Sequence, residues 1–228
     1  MKFGKTDHAD HIDFSLPNDH PDTRAVLEGG TGTPEIYIGC AKWNRTDLKG
    51  FYPRGTKDEL AYYSTQFNSI ELNATFYNNF PVATIEGWRE KTVDHFKFFP
   101  KIHQGISHWK RLKEAQAPTS EYLDGIAHLQ EKLGMIFLQL PDNFGPKNWD
   151  ILKSYLAEWP KGFPLALELR NAGWYDGSWN TDLLCEVLQE HNITHIITDS
   201  AGRRDLLHMR LSTPTAFIRY NGANVASD

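Results

Sequence analysis

MIFLQLPDNFGPKNWDILKSYLAEWPKGFPLALELR, residues 135–170, reads as strand, helix, strand. Met135–Gln139 and Leu165–Leu169 are short apolar runs of strand length. Between them Asn148 is a helix-capping residue type, and Ile151, Leu152, Tyr155, Leu156 and Trp159 follow at helical spacing. Pro160, Gly162 and Pro164 punctuate the return. A strand, a covering helix and a second strand in about 35 residues is the unit from which parallel sheets are built.

The same rhythm extends in both directions. Further β-rich runs occur at Ile36–Cys40, Ser69–Leu72, Phe96–Phe99, Thr194–Thr198 and Ala216–Tyr220, so strand starts recur at intervals of 22 to 39 residues. Thr56-Lys57-Asp58-Glu59 has the form of a capping box, with Leu60, Tyr63 and Phe67 on one face behind it. Asn180 stands before Leu183, Leu184, Val187 and Leu188, and weaker helical patterns follow Pro81 and Ser120. The fold class is therefore α/β. Seven strands in one regular series favour a (β/α) TIM-type barrel over an open doubly wound sheet. Gly39-Cys40-Ala41-Lys42 lacks the glycine-rich dinucleotide fingerprint. An eighth strand and its helix would need roughly 30 to 50 residues more, so the reading expects a barrel at 35–228 with its closing strand and helix missing, its first and seventh strands unpaired.

Composition excludes several classes. The 228 residues are 40% hydrophobic and 13% aromatic, too apolar for global disorder. The net charge of −5, with signs mixed, argues against a broad nucleic-acid surface. No apolar run has the length of a membrane span, and the polar start carries no secretory h-region. Two cysteines, Cys40 and Cys185, suit a reducing compartment, and the cytoplasm is the expected location. Residues 1–34 read as a polar extension ending in Gly29, Gly30, Gly32 and Pro34. His8, His11 and His20 lie in it among aspartates without a rigid two-ligand spacing, which favours a solvated arm over a metal site.

Period-two parity within the strands yields a candidate site. With Ile70, Leu72, Ile136, Leu138, Leu167, Leu169 and Ile218 assigned to the helix-facing side, the opposite parity collects Glu71, Asn73, Lys101, Gln139, Glu168, Arg170, Asp199, Arg219 and Asn221. These polar groups gather toward the carboxyl ends of the strands, where barrel enzymes build their sites. Charges are costly to bury without partners, so the set is either a salt-bridge network or a pocket with an acid/base pair and cationic anchors. Trp43, Phe51, Tyr52, Phe76 and Tyr77 are candidate pocket walls, His103 and His108 candidate acid/base groups, and Gly202-Arg203-Arg204-Asp205 a candidate phosphate grip.

The strand ends also carry a resemblance. IGCAKW…GFYP (Ile38–Pro53), SIELNATFYNNFP (Ser69–Pro81), FKFFPKIHQGISHW (Phe96–Trp109), FLQLPDNF (Phe137–Phe144), LELRNAGW (Leu167–Trp174) and FIRYNG (Phe217–Gly222) together resemble the YecE-like family, domain of unknown function 72. The resemblance implies a (β/α) barrel fold and leaves the activity open. The family's recurrent polar positions correspond to Glu71, Asn73, Tyr77, Lys101, His108, Gln139, Glu168, Arg170, Trp174 and Arg219. The family often has histidines where this chain has Asn171 and Asn221, and it continues past the seventh strand.

Three functional expectations follow. The first is an enzyme on a small, polar, anionic substrate, with Glu71, Lys101, Glu168 and Asp199 as catalytic groups. Asn73, Tyr77, His108, Gln139, Arg170, Trp174 and Arg219 would bind the substrate. The second is a non-catalytic barrel that binds a ligand, a protein or a nucleic acid. The third is a magnesium or manganese enzyme using Glu71, Glu168, Asp199 and His108. Lys101 and Arg170 beside those acids would repel a metal, so the expectation is no cofactor.

Overall fold

The computed structural model describes residues 6, 11–30, 32–177 and 179–222. In chain order the elements are α1 (Pro21–Glu28), α2 (Glu59–Ser64), β1 (Ser69–Leu72), α3 (Ala74–Tyr77), α4 (Val82–Lys91), β2 (Lys97–Pro100), α5 (Gln116–Ile126), β3 (Ile136–Leu140), α6 (Trp149–Ala157), β4 (Leu165–Leu169), α7 (Trp179–Glu190), β5 (Thr194–His195), β6 (Ile197–Ser200) and β7 (Ile218–Asn221). This is a mixed α/β fold with parallel strand pairing. The chain divides into two compact units, one of Thr33–Leu138 with Pro160–Pro164, the other of Met1–Gly32, Gln139–Trp159 and Leu165–Asp228.

In the first unit β1 and β2 pair in parallel, Ser69 opposite Lys97 through Leu72 opposite Pro100. Their apolar parity builds the core: Ile70, Leu72, Phe96 and Phe98 are fully buried, with Leu60, Tyr63, Ile85 and Leu129 packed on them. The α2 cap is Asp58, whose carboxylate accepts the Ala61 N–H at 3.0 Å, so the cap lies two residues beyond the threonine of the capping box. The run Ile36–Cys40 is not a strand. Side chains hold it: Asn68 brackets it by accepting from the Ile38 N–H and donating to the Ile36 carbonyl, both at 2.7 Å. The Tyr63 hydroxyl accepts from the Cys40 N–H at 2.6 Å, and one main-chain bond, Glu71 N–H to the Cys40 carbonyl, completes the attachment. Asparagine and tyrosine groups thus satisfy a β-prone backbone without a ladder.

β3, β4 and β5 form a sheet in that order, with β4 and β5 parallel, and in the second unit β6 pairs in parallel with β7. The expected strand Thr194–Thr198 is split at Ile196, whose N–H still bonds the Leu167 carbonyl at 2.9 Å; residues before it join β4 and residues after it join β7. The strands therefore form three sheets of two, three and two, and no closed barrel is found among the described residues. Asn180 lies inside α7 rather than capping it, and α5 begins before Ser120. Ile218 is a further correction, being 46% exposed, because the described residues leave that face of β7 uncovered.

Part of the N-terminal segment is structured. His20 caps α1 by accepting the Asp22 N–H, and the His20 N–H and Thr23 hydroxyl both bond the Met209 carbonyl, at 3.0 and 2.8 Å. His8 lies outside the described residues. Among the described residues no helix is long and apolar enough to cross a membrane.

Candidate functional site

In the second unit the site residues meet through a buried carboxylate. Glu168, near the end of β4, has a side chain 1% exposed. Its Oε1 accepts from Arg170 Nε at 2.7 Å, and its Oε2 from Arg219 Nη1 of β7. Strand parity explains the first contact, since residues i and i+2 share a face. A carboxylate between two guanidiniums is well solvated by charge-assisted bonds. Arg203 buttresses the group by donating from Nη2 to the Arg170 carbonyl at 3.1 Å and by pairing with Asp142 and Asp205. The loop expected to grip phosphate thus has both arginines occupied, for Arg204 Nη1 lies 2.7 Å from each Asp199 oxygen.

Asp199 does not join this cluster face. The β6–β7 register sets Thr198 opposite Arg219, Asp199 opposite Tyr220 and Ser200 opposite Asn221. Partners in register share a face, so Thr198 and Ser200 lie with Arg219, and Asp199 lies on the reverse. The sequence parity of this strand is therefore off by one: Thr194 pairs with Ala166, on the Glu168 face, and that even-numbered parity continues to Thr198 and Ser200. Thr198 and Ser200 are the residues that sequence reasoning missed. Their signal was present as hydroxyls alternating within the β-prone run Ile197-Thr198-Asp199-Ser200.

Gln139 is buried in β3. Trp174 is wholly buried and donates Nε1–H to the Phe144 carbonyl at 2.8 Å. Asn171 begins its turn by accepting the Gly173 N–H and donates to the Asp142 carbonyl at 2.6 Å. Burial, then the nearby Glu168 charge, pushes the Tyr175 phenol far above its ordinary pKa.

The first unit holds the remaining candidates around Phe76. Asn73 donates to Glu71 Oε1 at 2.7 Å just past β1. Lys101, 8% exposed, sets its ammonium 4.3 Å over the Phe76 ring, while its carbonyl accepts from the Thr75 and Tyr122 hydroxyls. The Tyr77 and His108 rings each meet Phe76 edge-on at 4.9 Å, and Tyr77 is 62% exposed. His108 sits in a single π-helical turn, Gly105–Trp109, with Nδ1 2.9 Å from the Ser107 hydroxyl. Such turns recur at functional sites. His103 instead accepts the Gly105 N–H. Of the other expected wall residues, Phe51 and Tyr52 pack into the core cluster, and Trp43 lines an open cleft of about 380 Å³ with Trp88 and Arg45. Among the described residues, no group of three or more His, Cys, Asp or Glu side chains is placed to hold a metal ion.

A family model described as "Protein of unknown function DUF72" matches residues 37–228. The UPF0759 protein YecE of Escherichia coli (strain K12) is 29% identical over 168 residues, 72% of this chain and 59% of that protein. The UPF0759 protein YunF of Bacillus subtilis (strain 168) is 32% identical over 152 residues, 61% of this chain and 52% of that one. The chain thus spans between half and three fifths of the length of these curated relatives. A solved DUF72 family protein from Thermotoga maritima MSB8 superposes with a TM-score of 0.66 at 28% identity, covering 82% of this chain and 75% of that chain. One from Enterococcus faecalis V583 gives 0.64 at 20% identity, covering 83% and 74%.

Proposed function

The chain belongs to the DUF72 family, and from that premise we propose that it is an enzyme acting by acid/base chemistry on a small anionic substrate. The observation that carries this reading is the Glu168 carboxylate, 1% exposed between Arg170 and Arg219 at the carboxyl ends of parallel strands. Parallel α/β folds place ligands at that end. In this reading the two guanidiniums exchange part of their pairing with Glu168 for the oxygens of the substrate, and Glu168 then takes a proton from it. Arg204 holds Asp199 in place by hydrogen bonds to both of its oxygens, on the reverse face of β6.

In the other unit Lys101, desolvated over Phe76, has the setting of an electrostatic stabiliser or acid. Glu71 is a second base candidate, with Asn73, Tyr77 and His108 as binding groups. The finer fold, a (β/α) barrel, belongs to the same proposal and is supported by the parallel pairing and the strand–helix alternation within each unit. The proposal needs no metal or cofactor. The two free cysteines fit a reducing, cytoplasmic setting.

A second reading, a barrel that binds a ligand without turnover, is favoured by one feature: Glu168 and Asp199 are both already paired with arginines. The test is a screen of metabolite pools with the parent chain, Glu168→Gln and Arg170→Met, reading turnover and thermal shift. Loss of turnover in both folded variants is expected. Ligand responses unchanged in both would remove the site, and a ligand bound but recovered intact from the parent would favour sensing.

A further inference from the structure

The face of β6 and β7 that carries Arg219 holds three polar atoms with no hydrogen-bond partner: Thr198 Oγ1, Ser200 Oγ and Asn221 Nδ2. Only six such buried side-chain atoms occur among the described residues, so half of them share one face of one strand pair. Thr198 is 4% exposed and Ser200 is fully buried. Native folds leave few buried polar groups unpaired, and each calls for an explanation.

We infer that this face is the seat of a tetrahedral oxyanion, the phosphate group of a small molecule, with Thr198, Ser200 and Asn221 as its neutral donors. The register is what gathers them. Neighbouring strands lie roughly 4.8 Å apart and alternate residues of one strand roughly 6.6 Å apart. Thr198, Ser200 and Asn221 therefore frame a patch of the size of one such group, with Arg219 as the fourth corner. An amide nitrogen can only donate and a hydroxyl donates readily, so the shared partner is an acceptor. Donors spread over two strands suit a phosphate, which offers three strong acceptor oxygens, better than a planar carboxylate. The patch lies at the carboxyl ends of the pair, where Asn221 is half-buried and Gly222 is exposed, which is the side of entry. Glu168 fixes Arg219 in place for this role.

That the ligand is a substrate rests on the function proposed above; the seat rests on the register and the unpaired donors. The test is calorimetric titration of the full chain at low ionic strength with inorganic phosphate, methyl phosphate and, as a carboxylate control, acetate. The parent is expected to bind the phosphate probes and not acetate. Thr198→Val and Ser200→Ala should each weaken phosphate binding at least tenfold, with Tm unchanged or raised because an unpaired donor has been removed. Binding of both phosphate probes identifies a phosphomonoester ligand, and binding of inorganic phosphate alone identifies the free ion. No phosphate binding by the parent, or binding unchanged in both variants, overturns the seat. A fall in Tm for Thr198→Val does so too, by revealing a structural partner for that hydroxyl. Phosphate binding retained while Glu168→Gln leaves turnover intact would sink the catalytic reading and keep the seat. Turnover lost in Glu168→Gln of a protein that binds no phosphate would do the reverse.

Discussion

Tyr175, His195 and His208 form a stack in which the two imidazoles lie 3.9 Å apart and the phenol 5.3 Å from His208. The Tyr175 hydroxyl lies 3.2 Å from His195 Nε2, and His208 Nε2 lies 3.0 Å from the Ile196 carbonyl. Burial is the main reason both histidines stay neutral, and the Arg210 charge adds to it for each; His195 also feels His208. The His208 pKa is pulled down to about 4 and that of His195 well below the usual imidazole range. The unfolded chain takes up these protons near pH 6.5, before the folded one does. Stability is therefore complete above about pH 6.5 and falls as the pH drops toward about 4. The loss assigned to His208 is roughly 3 kcal/mol. Urea unfolding at stepped pH should show it, and His208→Phe, which keeps the stack, should flatten the slope; equal slopes in both proteins would refute the assignment. The acid sensitivity of Asp58, whose pKa is lowered chiefly by its bond from Lys91, falls below this window.

Among elements, the run Ile36–Cys40 shows how a strand-like sequence is held without becoming a strand. A Cβ built on Gly39 would lie 2.0 Å from the Ser69 carbonyl oxygen, a main-chain atom that cannot swing aside. Gly39→Ala is therefore expected to cost about 2 kcal/mol or more, the scale of overpacking a tight contact. Gly87, inside α4, has nothing within 4 Å of its added Cβ, so Gly87→Ala should stabilise by roughly 0.5–1 kcal/mol. Chemical denaturation of the two variants provides an internal control: stabilisation of both would show that the close approach of Gly39 to β1 is wrong.

At the scale of the whole molecule, exposed apolar residues occur mid-chain at Tyr77 and Trp109 and also at both ends of the strand series, where Ile36 is 71% exposed and Ile38 63%, with Ile218 at 46% and Tyr220 at 74%. Ile218 and Tyr220 share one face of β7, whose only partner among the described residues is β6. An apolar strand without a second neighbour is a template for pairing with another chain, and a net charge of −5 gives modest repulsion against it. The double change Ile218→Lys with Tyr220→Thr should lower concentration-dependent light scattering while leaving stability within about 0.5 kcal/mol. Scattering unchanged from the parent would mean that this edge does not drive self-association.

Strand–helix alternation was legible in the sequence because it depends on local periodicity: Ser69–Leu72 and Leu165–Leu169 occur as read, and Ile70 and Leu72 are buried as the parity of that strand expects. The contact of Glu168 with Arg170 was legible for the same reason, being two residues along one strand. What tertiary structure alone decided depends on partners far away in the chain. Whether Ile36–Cys40 forms a ladder turns on Asn68 and Tyr63 competing for its backbone. Which face of β6 meets Arg219 turns on the pairing of Thr194 with Ala166 and of Thr198 with Arg219, and a register set between residues about twenty apart or more leaves no trace in local pattern. That register took Asp199 off the Arg219 face and put Thr198 and Ser200 there.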